Sequence, residues 1–139
     1  MFDELNKYKS NGHFFFNPGS DLRKVCNAPK DGIGVFYILR LAKGRIDIVY
    51  IGSEGEVEND GQIHSLGLYD QIVNGNQFGA PRFYSWNEKL ESEGIEALDV
   101  YWFKTFDKKN EDSPTYAKAL IMQSFLDLHE RLPEWNERF

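Results

Sequence analysis

Apolar residues concentrate in two consecutive β-rich stretches, GVFYILRL (34–41) and RIDIVYIG (45–52). Both are rich in β-branched and aromatic residues. A short Ala-Lys-Gly connection (42–44) lies between them, which predicts a β-hairpin. Downstream, Leu66, Tyr69, Ile72 and Val73 recur at helical spacing, and Asn74-Gly75 ends that helix. SWNEKLESEGI (85–95) reads as a second helix with Ser85 as its cap, and ALDVYWFKTF (97–106) as a third strand. Ser113-Pro114 opens a long helix that Pro133 stops. Upstream, residues 2–9 read as a short helix and DLRKVCN (21–27) as another, capped by Asp21. The predicted class is α+β: a small, mostly antiparallel three-stranded sheet, hairpin plus third strand, flanked by helices. Residues 1–33 read as an N-terminal extension packing on a domain of residues 34–139.

With 139 residues the chain fits one domain with a real core, and 15 % aromatic residues argue against disorder. No apolar run approaches the ~20 residues of a membrane span, so no membrane partner is expected. The polar start MFDELNKYKS and the single Cys26 fit a cytoplasmic setting. The net charge of −6 is uneven: residues 1–33 carry +1 and residues 34–139 carry −7. An acidic domain repels phosphate at long range, which disfavours tight sequence-independent nucleic-acid binding. Arg40, Lys43 and Arg45 form the one basic cluster on the hairpin, and His64 follows in the next loop. These four are the candidate nucleic-acid contacts. The acidic stretches 54–60 and 88–99 offer a surface for a basic protein partner. His13, His64, His129 and Cys26 lack zinc-ligand spacing.

The tripeptides Gly34-Val35-Phe36 and Tyr50-Ile51-Gly52, followed by GLYDQIVNGNQFG (67–79), ALDVYW (97–102) and LPEWN (132–136), resemble the GIY-YIG nuclease family over nearly all of residues 34–139. CNAP (26–29) is similar to the lead-in of some bacterial members. The resemblance implies a metal-dependent phosphodiesterase site built from a tyrosine closing the first tripeptide, a second tyrosine opening YIG, a helical arginine, a glutamate metal ligand on the last helix and a terminal asparagine. Those positions fall here on Phe36, Tyr50, Gln71, Ala117 and Asn136. Three are replaced. Phe36 has no hydroxyl to activate water, Gln71 has no charge for the pentavalent phosphate, and Ala117 cannot bind a metal. No cofactor is therefore expected, with Mg or Mn applying only if activity persists. The expectation is a degenerate, non-catalytic or weakly active nucleic-acid-binding or regulatory module, with DNA held weakly. Two alternatives stand beside it: an active endonuclease in which Tyr37, His64 and Glu111 take over, and an acidic protein-interaction domain.

Overall fold

The structure, a computed structural model, describes residues 2–139. The chain runs as a 3₁₀ turn (Asp3–Leu5), β1 (Asn11–Phe16), α1 (Leu22–Val25), β2 (Gly34–Ala42), β3 (Arg45–Glu54), β4 (Glu56–Val57), β5 (Ile63–His64), α2 (Leu68–Asn74), β6 (Asn76–Gln77), β7 (Ala80–Pro81), α3 (Arg82–Glu93), β8 (Ala97–Lys104) and α4 (Pro114–His129). The main sheet is antiparallel with strand order β1-β8-β2-β3. The α+β class and the β2–β3 hairpin hold, but the sheet has four strands rather than three.

The additional strand is β1, where Phe14 and Phe16 point to one buried face and His13 and Phe15 to the other. Its partner β8 lies some eighty residues away in sequence, so no hairpin signal marks it. Three successive phenylalanines also blur its period of two. Residues 2–33 thus supply an edge strand and core residues as well as packing on the domain.

Two apolar layers sandwich the sheet, because successive residues of a strand face opposite sides. Phe36 and Ile38 of β2 face a layer closed by Leu68, Ile72, Trp86 and Leu90 of α2 and α3. Val35, Tyr37 and Leu39 face the other, closed by Phe2, Leu5, Ala117, Ile121, Met122 and Phe125. The hairpin register slips between Ile38 and Leu39, which pair with Tyr50 and Ile48. Val49 is the extra residue of this bulge, and Val49 and Tyr50 both serve the first layer.

The helix expected over residues 2–9 is only the 3₁₀ turn Asp3–Leu5, and the boundaries of α2, α3 and α4 shift from those predicted. Leu66 is exposed and precedes α2. α3 begins at Arg82 behind Pro81, three residues before Ser85, which is buried within it and caps nothing. α4 stops at His129, before Pro133, with Glu130 in the left-handed region. Asp21 caps α1 as expected, its carboxylate accepting from the Arg23 amide at 3.1 Å.

Gly34 marks the closest approach of β2 to β8. A Cβ there would lie 1.9 Å from the Phe103 carbonyl oxygen and 2.9 Å from the Thr105 nitrogen. Both obstacles are backbone, so neither can swing aside. Gly34→Ala is expected to destabilise the protein by about 3 kcal/mol or more, within the range of severe overpacking. A urea midpoint unchanged from the parent would show that the sheet yields at this point.

Candidate functional site

The two tripeptides meet in register. Phe36 pairs with Gly52, and a Cβ at Gly52 would lie 2.5 Å from the Phe36 ring. The glycine is therefore what admits the ring. Tyr50 lies two pairs further along, its ring centroid 5.9 Å from that of Phe36. Phe36 is wholly buried, whereas Tyr50 is half-buried and forms one wall of a cleft of about 590 Å³. Gln77, Phe78, Lys118, Trp135 and Asn136 form the remaining walls, with Glu137 and Arg138 on the rim.

Beneath Tyr50 lies a residue that the sequence reading did not single out. Arg82, the first residue of α3, is 2 % exposed. Its guanidinium sits 5.3 Å from the ring centroids of both Phe36 and Tyr50. Nε donates to Gln77 Oε1 at 3.0 Å and Nη1 to the Gln71 carbonyl at 2.6 Å. No carboxylate lies within ion-pair reach of it among the described residues. Burial depresses its pKa, and the nearby Tyr50 acts in the opposite sense. Gly75 makes room for this arrangement, since a Cβ there would lie 2.2 Å from Arg82 Nη1. A sequence signal did exist: Arg82, Trp86 and Leu90 recur at four-residue spacing, which puts Arg82 on the core-facing stripe of α3.

The cleft is rich in donors. Gln77 Oε1 accepts from Arg82 Nε and from Trp86 Nε1 at 2.8 Å, which fixes the amide orientation. Its Nε2 is then a buried donor with no partner, and so is Trp135 Nε1. Lys118 lies half-buried in the cleft wall, and desolvation lowers the pKa of its ammonium. Lys118, the half-buried cation in the wall, favours a ligand that brings negative charge.

The remaining expected site residues separate. Gln71 turns its side chain to Glu54, Nε2 to Oε1 at 3.3 Å, and offers only its carbonyl to Arg82. Asn136 clamps the backbone of β3, accepting from the Ile51 amide at 2.9 Å and donating to the Ile51 carbonyl at 3.0 Å. It anchors the C-terminal segment, as does the Trp135 amide donating to the Val49 carbonyl at 2.8 Å. Ala117 does not join the cleft: it is buried in the second layer with Val35 and Tyr37, on the side of the sheet opposite Phe36. Its successor Lys118 is the α4 residue that reaches Tyr50's cleft.

The hairpin cations are largely committed. Arg40 grips Glu134 at 2.8 and 3.3 Å and lies 3.5 Å from Asp47. Arg45 is 3.9 Å from the same Asp47. Lys43 occupies the turn with a φ of 53°. His64 is exposed on β5 opposite Glu56. The relocated set also fails to assemble around Tyr50. Tyr37 is buried on the opposite face, stacked on Tyr101 at 5.1 Å, and burial pushes its hydroxyl up to about 12. Glu111 bridges to Phe106, and neither Tyr37, His64 nor Glu111 lines the cleft.

The residues do not fit the divalent metal that the resemblance implies. The ligand position at Ala117 carries no donor and faces away from the cleft. Among the described residues, no group of three His, Cys, Asp or Glu side chains could hold an ion. Among the described residues, no helix is long and apolar enough to cross a membrane. In comparisons with known proteins, no protein-family model, curated protein or solved structure matches the chain.

Proposed function

We propose that this chain is a GIY-YIG-like module that binds a nucleic-acid phosphodiester in the Tyr50 cleft without cutting it efficiently. The observation that carries the reading is the positive charge at the cleft: the half-buried Lys118 in its wall, and the Arg82 guanidinium buried beneath Tyr50 with no carboxylate partner. The register of Phe36 against Gly52 beside Tyr50 supports the resemblance in scaffold. The chemistry supports binding over hydrolysis. Phe36 offers no proton acceptor for water, and a lysine rather than a carboxylate projects from α4. Tyr50 and Lys118 can hold a phosphate, with the buried Arg82 charge beneath Tyr50 attracting it from a distance, but these groups cannot together deprotonate a nucleophile and supply a metal site.

Binding is expected to be weak, because the acidic domain opposes it at long range. Non-specific affinities of about 10⁻⁴–10⁻⁶ M are usual for charge-driven binders. Fluorescence anisotropy with a labelled oligonucleotide at low salt tests this. Lys118→Ala is expected to weaken binding roughly tenfold, the scale of one charge-assisted contact. Supercoiled plasmid with Mg²⁺ or Mn²⁺ is expected to stay intact. Metal-dependent nicking abolished by Tyr50→Phe would overturn the non-catalytic reading. Binding unaffected by Lys118→Ala would remove the cleft from the interaction.

A further inference from the structure

The cleft has an aromatic lip whose backbone is strained. β6 and β7 form a minimal hairpin, and its two-residue turn is Phe78-Gly79, with φ of 57° and 84°. A turn with positive φ at both central positions suits Asn-Gly or Gly-Gly. A bulky aromatic residue in the left-handed region is an outlier that the surrounding structure must sustain. Phe78 nonetheless occupies that position, and its ring is 42 % exposed at the edge of the cleft. Trp135 meets the ring edge-on at 5.0 Å and 87°. The Lys89 ammonium, itself paired with Glu93, lies 4.4 Å from the ring centroid.

A ring held in an unfavourable backbone conformation and partly exposed, beside Trp135 and under the Lys89 ammonium, forms a platform rather than a core contact. Cleft and platform share Trp135, whose unpartnered Nε1 is buried in the wall while its ring supports Phe78. We infer that Phe78 stacks on an unpaired base whose adjoining phosphate sits in the Tyr50–Lys118 cleft, so that the ligand is a single-stranded or extruded nucleotide rather than a regular duplex. The inference rests on the phosphodiester-binding reading. It accounts for an acidic protein binding nucleic acid at all: stacking on an aromatic face is sequence-tolerant and is not weakened by net negative charge as phosphate contacts are. In a duplex the base faces are covered by their neighbours, so the platform discriminates by strandedness.

The test is anisotropy with three labelled 12-mers: oligo(dT), the same strand with abasic sites throughout, and a duplex. An oligo(rU) arm distinguishes DNA from RNA as the source of the strand. Parent protein is expected to bind oligo(dT) or oligo(rU) on the order of tenfold more tightly than the abasic strand or the duplex, the scale of one stacked base. Phe78→Gly is expected to abolish that preference, so that the base-bearing strand binds no more tightly than the abasic one. Its melting temperature is expected to stay within a few degrees of the parent's, since relief of the left-handed strain offsets the lost ring contacts. Phe78→Trp is expected to retain the preference. Equal binding of base-bearing and abasic strands by the parent, with both weakened by Lys118→Ala, would overturn the platform and leave the phosphate cleft standing. Binding of none of the probes would overturn both. A large fall in the melting temperature of Phe78→Gly, with the strand preference kept, would show that Phe78 is a structural latch on Trp135.

Discussion

Glutamate at position 117 is expected to destabilise the protein by about 3–5 kcal/mol, whereas glutamate at position 118 is expected to leave it folded. The sequence motif aligns position 117 with a metal-binding carboxylate. The fold instead places it against Val35, Tyr37, Ile121 and Phe125, where Ala117 is 1 % exposed. A carboxylate there would be a buried charge with no hydrogen-bonding partner among those apolar neighbours, and uncompensated buried charges cost about this much. Position 118 is different. Lys118 is already a charged group in the cleft wall, half-exposed, and an anion can be hydrated there as the ammonium is. Lys118→Glu is expected to change stability by about 1 kcal/mol or less and to abolish anion binding by reversing the local charge. Urea denaturation of both variants, with anisotropy on the folded one, checks the pair. A stable Ala117→Glu protein would mean that α4 rotates far enough to bring position 117 to the cleft, and the present division of the two apolar layers would then be wrong.

The same division bears on placing residues of the implied site in this chain. Phe36→Tyr and Gln71→Arg act on the Arg82 side of the sheet, where Gln71 already approaches Glu54. Ala117→Glu acts on the other side. A triple substitution chosen from motif register alone therefore does not gather three functional groups at one phosphate. One chosen from the fold would use position 118.

What was legible in the sequence was local. The β2–β3 hairpin declared itself through two β-rich runs and a Lys43-Gly44 turn, and α4 through Pro114 at its first position. β1 was not legible in the sequence, and the Arg82 site only as far as its core-facing spacing on α3; both take their meaning from partners elsewhere in the chain. β1 exists because β8 offers an edge, with Phe14 opposite Val100 and Phe16 opposite Leu98. Arg82 is functional in appearance only once Gln71, Gln77, Phe36 and Tyr50 are seen around it. Read alone, AlaProArgPhe resembles a connector ahead of a helix, and the resemblance places its arginine on α2, where Gln71 stands; in the fold, Arg82 of the neighbouring helix lies under Tyr50. Phe78 escaped for another reason. Gln-Phe-Gly carries no turn signal at its first central position, because the residue that occupies it is one that such turns avoid.

Arg82→Met is expected to leave stability within about 1 kcal/mol of the parent, or to raise it by up to ~2 kcal/mol, while weakening anion binding on the order of tenfold. The stability half follows from satisfaction of the acceptors. Gln77 Oε1 keeps its bond from Trp86 Nε1, and the Gln71 carbonyl keeps one from the Gly75 amide at 3.0 Å, so removing the guanidinium orphans neither. Methionine conserves most of the volume between Phe36 and Tyr50 and adapts to irregular gaps. What is lost is the attraction of the cation for two aromatic faces. What is relieved is the desolvation of a charge with no carboxylate partner, and replacing buried ions by apolar side chains is often neutral or stabilising. The binding half follows from Coulomb's law. A unit charge several ångströms from a phosphate, at an effective dielectric near 20, is worth roughly 2 kcal/mol, or more than a factor of ten. Opposite signs for the two effects are what distinguish a residue kept for its ligand from one kept for the fold. Urea denaturation and anisotropy on the same preparation decide the matter. A loss of more than about 3 kcal/mol with affinity intact would make Arg82 a strut between α2 and α3 and leave the cleft without its deepest positive charge.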